Sequence, residues 1–473
     1  MMWARSFISH FKKIVVFTAV VILITESMNY LYVDDTDEFA RYMLHEFYEE
    51  EQNIDRLYLG SSHVFAGIDP AILDGINGDY NFNLSTATQP LIASYYLLIE
   101  ADKKHDIDRV YLDLYYYCTN GGAGRVHDYD ALPYSWSVIH QMKPSLNKLA
   151  FMLDLSAPSY YYLTFFAFTR YKEQLFNLDY VAEVVQGKQT DVWKNYEYEH
   201  KAMISDKEYV IKSGNKGFRL YEGVIREGGL YGINADSPMK EDPMAPESLE
   251  YLLKIVEYCK EHNIALTWIT CPITNFQLMR KGEYDNYVRQ VTELAEEYDI
   301  PYYDFNLCKN EYLDLRDRKY WSDRDHLNLA GAEIFSDFLG KFLLREEAGE
   351  NIRGEYFHTS YAEKIHASEE ELYGIEVSQS EEYEHWLSDV SEEERDQYVI
   401  YKIRPIANLS EECVYIHVSN LGDGDLPAQE EIPLIRDGND AYVILSKEEH
   451  GEMLIEAKLQ DSLEVTNWCQ IEY

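Results

Sequence analysis

The sequence predicts an α/β protein built on a parallel sheet, with an N-terminal membrane helix and a small β-rich domain at the C-terminus. Three observations support this architecture. Short apolar runs alternate with amphipathic helical segments between residues 55 and 345, as in βαβ units. One long apolar run lies near the N-terminus. Short β-like runs separated by glycine-containing turns occupy residues 371–473, a pattern typical of a β-sandwich.

These patterns divide the chain into five regions. They are a cytoplasmic tip with a transmembrane anchor (1–35), an acidic helical connector (36–54), an α/β domain (55–345), an acidic linker (346–370) and a β-rich accessory domain (371–473). Within the α/β domain, residues 120–246 interrupt the strand–helix alternation with an aromatic, largely helical insertion. Its aromatic residues fit three roles: covering the core, walling a substrate site, or contacting a membrane.

The N-terminal apolar run is flanked by opposite charges. Arg5, Lys12 and Lys13 precede it, and acidic residues follow it from Asp34 onward. The run from Ile14 to about Val33 is long enough to cross a bilayer. We expect one helix that projects from the body, retained as a single-pass plasma-membrane anchor with the body outside the cytoplasm. The alternative is a buried helix of a soluble protein.

The net charge restricts the partners of the chain. It is −42, from 84 acidic and 42 basic residues. Nucleic-acid binding depends on lysine and arginine contacts with phosphates, so the composition excludes a nucleic-acid partner. The acidity is spread along the chain and indicates a solvated surface.

Six cysteines are scattered through the sequence. They are Cys118, Cys259, Cys271, Cys308, Cys413 and Cys469. None has the close spacing of a zinc site, so we expect neither a metal nor a cofactor. A disulfide between Cys413 and Cys469 is the one pairing to test, with buried free thiols as the equal alternative.

Five apolar runs are candidate strands of the sheet. They are residues 55–59, 80–84, 109–114, 265–270 and 301–305. In a parallel α/β sheet, ligands bind beyond the C-terminal ends of the strands. Gly60 and the Cys118–Gly122 loop both follow strand ends, so we expect the functional site at this edge.

The first strand ends in Gly60-Ser61-Ser62, just before a helix-competent segment. A serine at such a turn exposes its hydroxyl beside free backbone N–H groups of a helix N-terminus. This is a suitable position for a nucleophile. The alternative is that Ser61 or Ser62 only caps the helix, which is a common role of serine.

A second motif precedes the last helix of the domain. Asp323 and His326 lie three residues apart, so on one turn the carboxylate can reach the imidazole. Histidine titrates near neutrality and can accept a proton from a serine, provided that a third group fixes its tautomer. Asp325 is the second choice for that group because side chains of adjacent residues diverge.

Together, Gly60-Ser61-Ser62 and Asp323-x-x-His326 resemble the first and last motifs of the SGNH/GDSL hydrolases. The resemblance covers about residues 55–344. The Leu59–Val64 segment and the N-terminal anchor are similar to the membrane-anchored cell-envelope branch, which includes a lipoteichoic acid D-alanylation protein. The resemblance implies a three-layer, flavodoxin-like fold and ester chemistry by Ser62, His326 and Asp323.

The oxyanion residues of the family are matched less closely. Besides the Ser62 backbone, the candidates are Ser85, which stands where the family has a glycine, and Asn120 after the third strand. Asn275 is a fallback polar group. The family's glycine and asparagine motifs are therefore not clearly present.

From these residues we expect a membrane-anchored serine esterase or O-acyltransferase that acts on acyl esters of a cell-envelope polymer, teichoic acid or polysaccharide. One alternative is a non-catalytic, polymer-binding partner of a membrane-bound O-acyltransferase. Another is a secreted lipase or esterase that acts on small esters. The intact serine, histidine and aspartate favour an enzyme, and the anchor disfavours the secreted lipase.

Overall fold

The computed structural model describes most of the chain. Its described residues are 2–472 except 197–198, 205–206, 213–214, 222, 225–242, 275–277, 279–283, 316–317, 324, 365–374, 389, 406–413, 421–431, 433, 439, 448–451 and 460–464. The α/β body, the N-terminal helix and the β-rich C-terminal region all fall largely within these ranges.

A five-stranded parallel sheet forms the centre of the body. Its strands are β1 (Arg56–Leu59), β2 (Asn81–Asn83), β3 (Arg109–Asp113), β6 (Ala265–Thr270) and β7 (Tyr302–Asp304). The order is β2-β1-β3-β6-β7, and all four pairings are parallel. Each strand lies within a residue or two of its predicted run. This order reverses direction between β1 and β3, as in doubly wound sheets, and ligand sites form at that point.

Helices cover both faces of this sheet. The helices of the body are α3 (Ser62–Gly67), α4 (Pro70–Asn77), α5 (Leu91–Asp102), α12 (Pro246–His262), α13 (Tyr284–Tyr298) and α14 (Leu329–Glu347). One group contains α3, α4 and α14, which pack together, and α12 packs on α5 in another. Every residue of β1 and β2 is buried, as expected of strands covered on both sides.

The N-terminal segments form two helices, α1 (Met2–Tyr32) and α2 (Phe39–Glu49). The residues of α1 from His10 to Tyr32 are long and apolar enough to cross a membrane. Helix α2 lies in the segment predicted as an acidic helical connector, and it also packs on the body. Phe39, Met43 and Phe47 are buried in the core of the α/β body, because its apolar face packs against the body.

Over its described residues the insertion is largely helical. It contains helices α7 (Pro133–Gln141), α8 (Leu146–Leu155), α9 (Tyr161–Phe165), α10 (Leu178–Gly187) and α11 (Asp191–Asn195), and the hairpin β4 (Glu199–Ile204) and β5 (Lys207–Lys212). Helix α6 (Tyr116–Thr119) lies just before it. Short 3₁₀ helices at Gly122–Gly124, Pro158–Tyr160 and Ala167–Gln174 join them. Helix α8 packs on α5, whereas α10 and Ala167–Gln174 pack on α1.

The predicted linker, residues 346–370, is structured over its first part. Helix α14 extends to Glu347, and α15 (Arg353–Tyr356) follows. Ile352, Phe357 and Tyr361 are buried against the core of the body. This part of the chain therefore belongs to the body, while residues 365–370 lie outside the described ranges.

The described residues of the C-terminal region form seven antiparallel strands in two sheets. They are β8 (Ile375–Gln379), β9 (Tyr398–Pro405), β10 (Val414–Asn420), β11 (Ile435–Asp437), β12 (Asp440–Ser446), β13 (Glu452–Leu459) and β14 (Val465–Glu472). Their orders are β11-β12-β9-β8 and β10-β13-β14. Met453 of the second sheet packs with Val443 and Tyr401 of the first. The β-sandwich as a whole stays a prediction.

Candidate active site

The first site residues lie where β1 meets α3, at the point where the sheet order reverses. Gly60 is required here by a close approach: a Cβ atom on it would lie 2.5 Å from Asp113 Cβ and 2.6 Å from Val64 Cγ2. Ser61 is the N-cap of α3, and its Oγ accepts a hydrogen bond from the His63 N–H at 3.3 Å. Ser62 is the first residue of α3, so its N–H has no acceptor within the helix.

The Asp323–His326 motif is held in a closed loop before α14. Trp321 and Leu327 form an antiparallel bridge across the loop, and both side chains are buried. The Ser322 N–H donates to the His326 carbonyl at 3.0 Å. Helix α14 then packs on α3. This packing brings His326 to Ser62, which lies 264 positions away in the chain.

The structure brings Ser62, His326 and Asp323 together. His326 Nε2 lies 2.7 Å from Ser62 Oγ, and His326 Nδ1 lies 2.9 Å from each Asp323 oxygen. Asp323 Oδ1 also accepts the N–H groups of Asp325 and His326, at 2.8 and 2.9 Å. Burial raises the pKa of Asp323, but these hydrogen bonds and the imidazole outweigh burial and hold the pKa below its usual range. The aspartate that contacts the ring is the predicted one.

Neither a family model nor a curated protein matches this chain. The resemblance to the SGNH/GDSL hydrolases therefore stays a prediction carried by these residues and their spacing.

A buried polar group that the sequence analysis missed supports the serine turn. Asp113, the last residue of β3, accepts hydrogen bonds from Ser61 Oγ at 3.1 Å and from the Cys271 N–H at 3.0 Å. Ser61 Oγ also lies 3.0 Å from His63 Nδ1. Burial raises the pKa of Asp113 to about 6, although the hydrogen bonds from Cys271 and Ser61 oppose the shift. An acidic residue at the end of a largely apolar strand is the sequence signal that could have identified it.

Two aromatic rings lie nearly parallel to the His326 imidazole. The Tyr221 ring centroid is 4.6 Å away with an interplanar angle of 17°, and that of His63 is 5.2 Å away at 22°. Tyr221 belongs to the insertion, so this segment reaches the site. No local motif marks Tyr221, since only the long-range packing places it there.

The side chains of the oxyanion candidates have other partners. Ser85 is fully buried, and its hydroxyl donates to Asn83. Asn120 Nδ2 donates to Gln290 on α13 at 3.1 Å, and its Oδ1 accepts from Thr119. Asn275 lies outside the described residues.

The described histidine, cysteine and acidic residues form no cluster of three or more suited to a metal ion. Cys118, Cys259, Cys271 and Cys308 are buried thiols. Burial raises the pKa of Cys259 and of Cys308 to about 12, so neither thiol supplies a nucleophilic thiolate near neutrality. Cys413 and the side chain of Cys469 lie outside what the structure describes, so their pairing stays a prediction.

Proposed function

We propose that this chain is a membrane-anchored, extracytoplasmic serine esterase or O-acyltransferase of the SGNH/GDSL type. The observation that carries the proposal is the geometry of Ser62, His326 and Asp323. A serine hydroxyl, an imidazole and a carboxylate in hydrogen-bonded succession form the constellation that activates serine for acyl transfer.

The contacts suit the following mechanism. Ser62 attacks the ester carbonyl while His326 Nε2 accepts its proton. His326 then returns that proton to the leaving alcohol, and an acyl-serine forms. Water or an acceptor hydroxyl next attacks the acyl-serine and gives its proton to His326, which passes it to the departing Ser62 Oγ; the result is hydrolysis or transfer. Asp323 keeps the Nδ1–H tautomer and stabilises the imidazolium, and the Ser62 N–H supports the oxyanion.

The position of the site favours a substrate near the membrane. Successive ring contacts connect His326 to Tyr221, Tyr221 to Phe65 and Phe65 to Phe39, with centroid distances of 4.6, 6.0 and 4.9 Å. Phe39 begins the helix that follows the anchor. The six residues between Tyr32 and Phe39 span at most about 20 Å. If α1 crosses a membrane, the serine acts close to that surface.

We further propose that the substrate is an acyl ester on a bulky envelope polymer, and that small soluble esters react poorly. The Ser85 hydroxyl donates to Asn83 and the Asn120 amide donates to Gln290, so these interactions compete with any role of the two side chains as oxyanion donors. Loss of one oxyanion donor typically lowers the rate about a hundredfold or more. Binding energy from remote parts of a large substrate can offset such a loss in the transition state, which a small ester cannot do.

The test compares purified full-length protein on acylated wall polymer and on p-nitrophenyl acetate, with Ser62→Ala as the control. We expect Ser62-dependent release or transfer of acyl groups from the polymer and slow turnover of the small ester. A serine-reactive phosphonate should label the wild type but not the variant. Rapid Ser62-dependent cleavage of the small ester, without activity on the polymer, would reject the polymer assignment.

The engagement of Ser85 and Asn120 also favours a second candidate, a non-catalytic protein that holds polymer beside a membrane-bound O-acyltransferase. On this reading the serine hydroxyl is dispensable. Polymer acylation in cells that carry only Ser62→Ala decides between the two functions: preserved acylation supports the scaffold, and its loss with normal protein levels supports the enzyme.

A further inference from the structure

The charge-free first part of the anchor is shorter than the hydrocarbon core of a bilayer. The charge-free stretch between Lys13 and Glu26 is Ile14–Thr25, and its helical length at 1.5 Å per residue is roughly 18 Å. The hydrocarbon core of a bilayer is about 30 Å thick. If the inner boundary lies near Lys13, the outer boundary is reached only near Val33, about eight residues beyond Thr25.

The stretch of α1 that makes up this difference is packed against the insertion. Tyr32 Oη donates to the Leu175 carbonyl at 2.8 Å, and Tyr180 Oη donates to the Tyr32 carbonyl at 3.0 Å. The Lys188 ammonium donates to the carbonyls of Tyr30 and Val33 at 3.0 and 2.6 Å. The carbonyls at the end of α1 therefore have protein donors, as a helix end within lipid requires.

A second contact joins the insertion to α1 before its C-terminal end. The Phe168 N–H donates to Asn29 Oδ1 at 3.1 Å, although Asn29 lies inside the apolar run.

This part of the insertion exposes large apolar side chains. On α8 they follow a helical stripe, with Leu146 exposed by 85% and both Leu149 and Leu153 by 42%, while Phe151 on the other side is buried. Phe176 is exposed by 96% and Leu178 by 80%, directly after Leu175. We name these five residues, Leu146, Leu149, Leu153, Phe176 and Leu178, the apolar collar. Helices α8 and α9, the 3₁₀ helix Ala167–Gln174 and α1 pack in series, so the collar adjoins the anchor.

We propose that the apolar collar is embedded in the outer leaflet of the membrane and completes the span that α1 begins. This inference rests on the proposed function only in taking α1 as a membrane anchor. A leucine stripe beside a membrane helix is the pattern of an interfacial helix, whose apolar face enters the boundary of headgroups and acyl chains. The net charge of −42 disfavours electrostatic attachment to anionic lipid, and the collar supplies an apolar attachment instead. The anchor α1 and the apolar collar would together fix the height and tilt of the active site over the bilayer.

The test uses the full-length chain in vesicles of phosphatidylcholine and phosphatidylglycerol. Leu149→Cys, Leu153→Cys and Phe176→Cys are each labelled with an environment-sensitive fluorophore. Leu344→Cys is the matched control, because Leu344 is a leucine exposed by 39% on α14, a helix that packs on α3 and α4. The unsubstituted chain gives the labelling background from the native cysteines.

We expect lipids that carry a nitroxide on the acyl chain to quench the three collar labels several-fold more strongly than the Leu344 label, with little dependence on salt. Equal quenching at all positions, with collar labels open to a water-soluble quencher, would overturn the proposal. Collar labels shielded from both quenchers would also overturn it and would indicate a second copy or a membrane protein as the occupant. Flotation with the vesicles tests the anchor separately, since a chain that floats with water-exposed collar labels retains the anchor and loses only this inference.

Discussion

Replacement of Asp323 by asparagine tests the assigned orientation of the site. Asparagine is nearly isosteric, and its Oδ1 can keep accepting the two backbone N–H groups that now bind Asp323 Oδ1. Its amide group would face His326 Nδ1 as a donor. The ring would then carry its proton on Nε2 and could no longer accept the Ser62 proton. The loop is preserved, while the base is held in the wrong tautomer.

The magnitude follows from the contacts. Charges about 4 Å apart at an effective dielectric constant of about 20 attract by about 4 kcal/mol. Half of the Asp323 side chain is exposed, so we reduce this value for solvent screening to about 2 kcal/mol. Loss of the hydrogen bond to a charged acceptor adds about 1.5 kcal/mol. The total of about 3.5 kcal/mol corresponds to a decrease of a few hundredfold in rate.

The assay is the second-order rate constant for labelling by a serine-reactive phosphonate. Asp325→Asn is the matched control, because it removes the same charge two positions away and should change the rate less than tenfold. Ser62→Ala should abolish labelling. A large loss in Asp325→Asn with little change in Asp323→Asn would refute the orientation argued here, and labelling that depends on neither would refute the triad.

Three further predictions concern stability. Burial raises the pKa of Asp113 from 3.8 to about 6, so the stability that this group contributes is complete below about pH 4 and is lost as the pH rises through 6. Relative to Asp113→Asn, the free energy of unfolding of the wild type should therefore fall by about 3 kcal/mol from pH 4 to pH 7 in urea titrations. Parallel pH curves for the two proteins would contradict this prediction. Gly60→Ala should lower stability by about 1–3 kcal/mol and reduce phosphonate labelling, because the new Cβ atom would meet side-chain atoms at 2.5 and 2.6 Å. The control is Gly75→Ala at a helical position where a Cβ atom would meet nothing within 4 Å, and it should stabilise the protein by about 0.5–1 kcal/mol. Lys188→Met leaves the buried Asp35 carboxylate without one of its cations and should lower the free energy of unfolding by about 3 kcal/mol. The control is Lys254→Met, which breaks the exposed helical pair of Lys254 with Glu250 and should change stability by about 0.5 kcal/mol or less.

The sequence alone located the strands and both motifs of the candidate site. Apolar runs bounded by glycine or polar residues mark buried strands locally, so β1, β3 and β6 lie within a residue or two of their predicted bounds. Asp323 and His326 are close in sequence, and a three-residue spacing already permits their contact. The glycine before Ser61 signals a turn, and the structure supplies its reason in the close approach of Asp113.

Only the tertiary structure decided the surroundings of these motifs. His326, the partner of Ser62, lies 264 positions away. The Arg219 N–H donates to the Phe65 carbonyl, and this hydrogen bond between the insertion and α3 helps to place Tyr221. The sequence predicted an acidic helical connector at α2, and only the structure shows that the apolar face of this helix is buried in the core. Ser85 and Asn120 were candidate oxyanion residues in the sequence, but in the fold their side chains hydrogen-bond to Asn83 and Gln290. Local patterns report which face of an element is apolar, whereas the free energy that selects its neighbour comes from burial and hydrogen bonds between segments distant in the chain.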